Sequence, residues 1–233
     1  MQQIAGFTCD YKEVAPGLSL WLRQGESLDW TVVREVIERD GYRVGGYDMT
    51  GRTVVDCGAH IGVFSAWCAA RGAVQVLAIE PQPQNRAILE RNAEHWPAVN
   101  VVPYALGAEE GQTQIVWVSG GAHTVAPGQP NRMGPVWPVS QTTLPRLLAA
   151  CGVTHVDLLK LDMEGAEVET LLACGPDVLG CIDRIAMETH GTKTHPWCVR
   201  DPREVIAHLA PQFDIEFVGS PEGFGKLFAV RRA

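Results

Sequence analysis

The feature that most constrains this chain is the alternation of short apolar runs with helix-patterned segments after residue 52. Strands are expected at residues 53–56 (TVVD), 74–80 (VQVLAIE), 99–104, 113–118 (TQIVWV), 156–161 and 182–188. Helices are expected between them at 61–71, 83–94, 144–151 and 166–173, with a further one at 203–210. Strands that alternate with helices build a parallel sheet covered by helices on both faces. Two last strands, 213–218 and 227–230, flank the turn-rich SPEGFG and predict a C-terminal β-hairpin. The expected class is therefore α/β, with a Rossmann-like, mostly parallel sheet. In such sheets ligands bind beyond the carboxyl ends of the strands.

Residues 1–50 precede this pattern and are expected to form a helical cap, a lid over the substrate. Ser27 is placed to N-cap a helix whose apolar positions Leu28, Val32, Val33, Val36 and Ile37 share one face, and Gly41 offers a stop. Residues 51–233 are then expected to form the main domain, which carries the alternating pattern. Within it the Gly- and Pro-rich stretch 120–138 is expected to be a long loop, and loops of that length are often functional.

The first strand runs into Asp56-Cys57-Gly58-Ala59-His60-Ile61-Gly62. Gly58 and Gly62 allow a tight turn and a close backbone approach to a ligand. A dinucleotide fingerprint would read GxGxxG, but His60 stands where its second glycine belongs. Asp56 suits a cation better than a pyrophosphate. S-Adenosylmethionine carries a sulfonium and an ammonium and no phosphate, so it is the expected cofactor. The second strand ends at Glu80-Pro81, and a carboxylate there can accept both hydroxyls of a ribose.

The segments VVDCGAHIGVFS, AIEP, VVPYALG, VDLLKLDMEGAE and IAMETH together resemble the FkbM-type methyltransferases. LLKLDMEGAE is the most specific of them, since members commonly carry K-x-D-x-E-G-x-E at this place. The resemblance implies a class I methyltransferase fold and, usually, O-methylation. It places Asp56, Gly58 and Gly62 around the methionyl part of the cofactor and Glu80 on the ribose. Tyr104 and Ala105, after the third strand, are implied to lie near the adenine. Members typically carry Asn where this chain has His60.

Methyl transfer needs in-line attack by a positioned nucleophile. An alcohol nucleophile also needs a base, or a metal that lowers its pKa. Asp162, with Glu164 just beyond, ends the strand expected at 156–161, and Glu188, with His190 two residues on, ends the one expected at 182–188. His190 is the expected general base because an ordinary imidazole titrates near neutrality. Asp162 and Glu188 are expected to orient it or to position the acceptor. A rival arrangement has Asp162, Glu188 and His190 hold a divalent cation; carboxylates serve this purpose in catechol-type methyltransferases, a fold-level analogy. Glu164 and Glu167 also fit a blander role as acids at a helix start. Lys160, in a buried run, is expected to pair with a neighbouring carboxylate. His123 and His195 read as loop residues, Trp117, Trp137 and Trp197 as an apolar pocket lining, and Trp67 and Trp96 as sheet packing.

The net charge of −8 disfavours nucleic acid as a partner, because phosphate binding calls for a basic patch. Seven cysteines without a CxxC pair suit free thiols in a reducing cytoplasm. No basic start followed by an apolar stretch, and no apolar run of membrane-spanning length, is visible, so neither export nor membrane insertion is expected. The expected protein is thus a cytoplasmic small-molecule O-methyltransferase acting on a secondary metabolite or sugar, and self-association into a homo-oligomer is compatible with the sequence. Its rivals are an N-, C- or carboxylate methyltransferase, a nucleoside-binding module without turnover, and an NAD-dependent oxidoreductase, the last disfavoured by the missing GxGxxG.

Overall fold

The protein is described by a computed structural model covering residues 1–117, 123–125, 135–190 and 200–233. It comprises two compact units, Met1–Pro103 and Tyr104–Ala233.

The first unit opens with a meander of three antiparallel strands, β1 (Gln2–Ile4), β2 (Phe7–Ala15) and β3 (Leu18–Arg23). Ala5 and Gly6 make the first turn at φ 49° and 89°. Two consecutive positive φ values match the twist of the flanking strands. Pro16 and Gly17, the latter at φ 76°, make the second turn. Leu18, Leu20 and Leu22 alternate to one face and are all but fully buried. Burying a leucine stabilises by about 1.5–3 kcal/mol, so this strip anchors the meander. The expected helical cap over residues 1–50 thus begins with a β-meander ahead of its helix. The signal was legible: a PG turn beside the strictly alternating LSLWLR.

The helix expected after residue 26 is present as α1 (Ser27–Val33), prolonged by a π-helical turn over Arg34–Glu38. Its N-cap is Glu26 rather than Ser27, with the Glu26 carboxylate accepting from the Leu28 N–H at 3.3 Å. Then come β4 (Thr53–Cys57), α2 (Val63–Ala70), β5 (Gln75–Ile79), α3 (Pro83–Ala93) and β6 (Val99–Val102). The three strands run parallel in the order β4-β5-β6. They are almost wholly apolar because both faces of a parallel sheet are covered. Ala59, Ala78 and Leu89 form a core cluster against which Val99 and Val101 pack. β3 packs on α2 and α3, so the meander and the parallel strands form one unit.

The second unit contains β7 (Ala105–Leu106), β8 (Gly111–Trp117), β9 (His123–Val125) and β10 (Val136–Thr142), arranged β7-β10-β8-β9. Trp137, expected in a loop, is on β10 and packs against Ala105, Ile115 and Val139. Residues 118–122 and 126–134 of the expected loop, with His195 and Trp197, lie outside the described residues. After α4 (Leu144–Ala150), capped by Thr143, come β11 (Leu158–Leu161), α5 (Glu167–Leu172), α6 (Pro176–Leu179) and β12 (Arg184–His190). β11 and β12 are parallel. α7 (Pro202–Leu209) starts with a capping box of Asp201 and Glu204. The expected C-terminal hairpin is β13 (Phe213–Gly219) with β14 (Phe224–Arg231), and β14 adds antiparallel to β12. Among the described residues no helix is long and apolar enough to cross a membrane.

Candidate active site

The first unit holds the strand-end turn singled out from sequence. Gly58 and Gly62 adopt φ 80° and 91°, a left-handed backbone that costs an L residue roughly 1–2 kcal/mol. At Gly62 a Cβ would also stand 2.5 Å from Cδ1 of Leu89. His60 lies between them, itself left-handed at φ 53°. Asn, Asp and His tolerate that region better than other non-glycine residues, which accounts physically for a histidine at this left-handed position.

Glu80 directly follows β5 and is nearly buried. Its Oε2 accepts from the His60 N–H at 2.8 Å and its Oε1 from the Gln82 N–H at 2.9 Å. The carboxylate therefore ties the glycine turn to the start of α3. Pro81 continues from it into α3, whose N-cap is Gln82. Asp56 is fully buried near the end of β4 and accepts from the Ser65 hydroxyl at 2.6 Å. It thus fastens the first turns of α2 to the strand.

The structure adds residues that sequence reasoning missed. Arg23 and Asp29, 5 % and 0 % exposed, form a buried ion pair with Nε 3.1 Å from both carboxylate oxygens. Arg23 Nη1 donates to Asn85 at 3.0 Å, and Nη2 lies 2.8 Å from His60 Nε2. Asn92 accepts from the Trp21 N–H at 2.6 Å and donates to Ile61 O at 2.7 Å. Separations of up to 71 residues hide these contacts from any local pattern.

The second unit holds the other expected residues. Tyr104 is 37 % exposed, while Ala105 is buried on β7. Asp162 follows β11, with Lys160 Nζ 3.9 Å from its Oδ2, the expected pairing. Glu188 and His190 end β12, and Lys226 Nζ lies 3.8 Å from Glu188 Oε2. His190 faces Glu167 Oε1 with Nδ1 at 3.2 Å, and its Nε2 is 3.4 Å from Glu164 and 3.8 Å from Glu188. Burial alone would lower the imidazole pKa, but the bond and charge of Glu167, then Glu164 and Asp162, override it and push the pKa to about 10. With no metal bound, these carboxylates favour the imidazolium at neutral pH. The expected near-neutral titration, the ground for casting it as general base, is corrected by these carboxylates.

Glu167 does more than meet a helix dipole. It is buried, and its carboxylate accepts from the Met163 N–H at 2.6 Å and the Gly165 N–H at 3.0 Å. Between them Glu164 is held left-handed at φ 59°. Such strain persists only where surroundings fix it, and it concentrates at functional sites. One ligand atom each from Asp162, Glu188 and His190 lie within 4.8 Å of one another, a donor set that fits a hard divalent cation.

The Methyltransferase FkbM domain model matches residues 56–214, a span that includes the glycine turn, Glu80 and the carboxylate–imidazole cluster. This chain belongs to the FkbM methyltransferase family. A solved FkbM methyltransferase from Methylobacillus flagellatus KT is 15 % identical, with a TM-score of 0.52 over 89 % of this chain and 56 % of that one. The chain thus spans little more than half the length of that FkbM structure. A protein assigned as an rRNA methylase from Clostridium thermocellum is 9 % identical, with a TM-score of 0.51 over 84 % of this chain and 96 % of that one. Magnesium protoporphyrin IX methyltransferase from Synechocystis PCC 6803, solved with bound SAM, is 13 % identical at a TM-score of 0.49, covering 88 % of this chain and 82 % of that one. No curated protein matches the chain in sequence. The first two likenesses show the Rossmann-like methyltransferase fold in this FkbM family member.

Proposed function

We propose that this FkbM methyltransferase takes its methyl group from S-adenosylmethionine and delivers it to an oxygen of a small-molecule acceptor. The observation that carries the donor reading is the Glu80 carboxylate, which holds a turn of left-handed residues without a phosphate-binding glycine at position 60. That turn offers backbone and carboxylate acceptors to a cationic nucleoside and no pyrophosphate cradle. Gly58, His60 and Gly62 shape the methionyl side, Asp56 holds the turn on α2, and Glu80 with Pro81 serves the ribose. Tyr104 and Ala105 are proposed for the adenine.

On the acceptor side Asp162 takes the hydroxyl proton as the oxygen attacks the methyl carbon and S-adenosylhomocysteine leaves, because its side chain is 23 % exposed against 9 % for Glu188 and 2 % for His190. Protonated His190 balances the charge of Glu164, Glu167 and Glu188 and keeps their carboxylates in place. A second reading is favoured by the clustered ligand atoms of Asp162, Glu188 and His190. These three would hold a divalent cation, which would lower the pKa of an acceptor hydroxyl.

The reading is tested by calorimetric titration of the protein with S-adenosylmethionine, S-adenosylhomocysteine and NAD, followed by labelled methyl transfer to a panel of hydroxylated, amino and carboxylic acceptors. Affinity for both sulfur nucleosides, none for NAD and label recovered as a methyl ether support it. Absence of sulfur-nucleoside binding overturns the donor assignment. Label recovered only on nitrogen, carbon or carboxylate overturns the oxygen assignment. Activity lost with EDTA and restored by a divalent cation would favour the second reading.

A further inference from the structure

A buried ion pair is a poor device for stability, because desolvating two charges offsets most of their attraction. Arg23 and Asp29 are such a pair, and their surroundings indicate another use. Arg23 ends β3, and Asp29 is in the first turn of α1, so both belong to the segment ahead of the first parallel strand. Asp29 grips the arginine through its Nε and also accepts from its backbone N–H at 2.8 Å. The planar guanidinium is thereby fixed in direction, with Asn85 of α3 on Nη1 and the Phe7 ring 5.3 Å from Cζ. Nη2, which also donates to Asp29 Oδ1 at 2.5 Å, lies 2.8 Å from His60 Nε2.

A guanidinium can only donate. His60 Nε2 must then accept, which places the imidazole proton on Nδ1. We infer that Arg23 and Asp29 are positioning residues for the cofactor turn, setting the orientation and tautomer of His60 from the N-terminal meander. His60 is thus gripped twice, through its backbone by Glu80 and through its ring by Arg23. A second contact runs the same way, with Asn92 linking Trp21 of β3 to the Ile61 carbonyl in that turn. The meander therefore holds two successive residues of the turn, and the precision of the donor site depends on it. This inference rests on the proposal that the turn binds S-adenosylmethionine.

The test begins with S-adenosylhomocysteine titrated into the wild-type protein, so that the donor reading is judged first. Given binding, His60→Ala is expected to weaken it tenfold or more, and His60→Asn, which restores an acceptor on a left-handed backbone, to recover part of that loss. Arg23→Gln is expected to weaken binding comparably, and the double variant Arg23→Gln/His60→Ala no further than either single one, since contacting residues are non-additive. Nitrogen NMR of the wild-type protein at neutral pH is expected to show His60 with its proton on Nδ1, and Arg23→Gln to lose that single tautomer. Folded variants with unchanged affinity, strictly additive losses, or a wild-type His60 protonated on Nε2 would overturn the inference. Should Arg23→Gln fail to fold, the His60 variants and the wild-type spectrum decide. Should the wild-type protein bind no S-adenosylhomocysteine, the donor reading falls, and the spectrum alone judges the Arg23–His60 contact.

Discussion

Glu80 Oε2 accepts a hydrogen bond from the backbone N–H of His60 at 2.8 Å, so one carboxylate fixes the turn after the neighbouring strand. Removing it leaves the His60 and Gln82 N–H groups without that acceptor and takes away the proposed ribose contact. Hydrogen bonds to charged groups contribute about 1.5–3 kcal/mol, which is about 10- to 150-fold in Kd. Glu80→Ala is expected to weaken S-adenosylhomocysteine binding by about that factor, measured by calorimetry. Wild-type affinity in a folded variant would dismiss the ribose role.

Glu167 and His190 yield a prediction on pH. The His190 pKa is raised from 6.5 to about 10 in the folded protein. A raised folded-state pKa adds stability that is fully present below 6.5 and is lost as pH climbs through about 10. Metal-free protein is therefore expected to lose stability progressively across that window in urea melts, and Glu167→Gln to flatten the loss. The pH profile of kcat/KM should show no rising limb near 6.5 from this histidine. An NMR titration giving His190 a near-neutral pKa would contradict both.

Gly62 combines a left-handed backbone with a neighbour 2.5 Å from the site of a Cβ, whereas Gly17 is left-handed with open space around it. Gly62→Ala adds overpacking of about 1–3 kcal/mol to the conformational cost. It is expected to lower Tm by several degrees more than Gly17→Ala, by roughly 2–4 °C per kcal/mol. Equal shifts would show that Leu89 yields without cost.

Burial pushes the Cys174 thiol to about 12, and its Sγ donates to the Thr170 carbonyl at 3.4 Å. The thiolate is the reactive form, so Cys174 is expected to resist alkylation in the native protein while the partly exposed Cys151 and Cys181 react. Peptide mapping after brief iodoacetamide treatment checks this, and early modification of Cys174 would contradict the packing around it.

Much of the architecture was legible because buried parallel strands read as short apolar runs and their helices carry a period-3.6 pattern within short windows. The strand-end residues Asp56, Glu80, Asp162 and Glu188 could be picked out for the same reason: where a strand ends, its last polar residue is visible. The meander over residues 2–23 is signalled by a PG turn and alternating leucines, but its three strands stand beside the stronger helical spacing after Ser27. Glu167 passed for a helix-start acid, since sequence does not show that its oxygens turn back to Met163 and Gly165.

The sequence alone determined the strand–helix alternation, the glycines at 58 and 62 and the identity of the carboxylates, all properties set by near neighbours in the chain. Only the tertiary structure decided that Arg23 reaches His60, and that Glu167, Glu164 and Asp162 stand close enough to His190 to raise its pKa. Charge and desolvation act through space over a few ångströms, and residues that meet at such distances are separated in the chain by intervals no local pattern records.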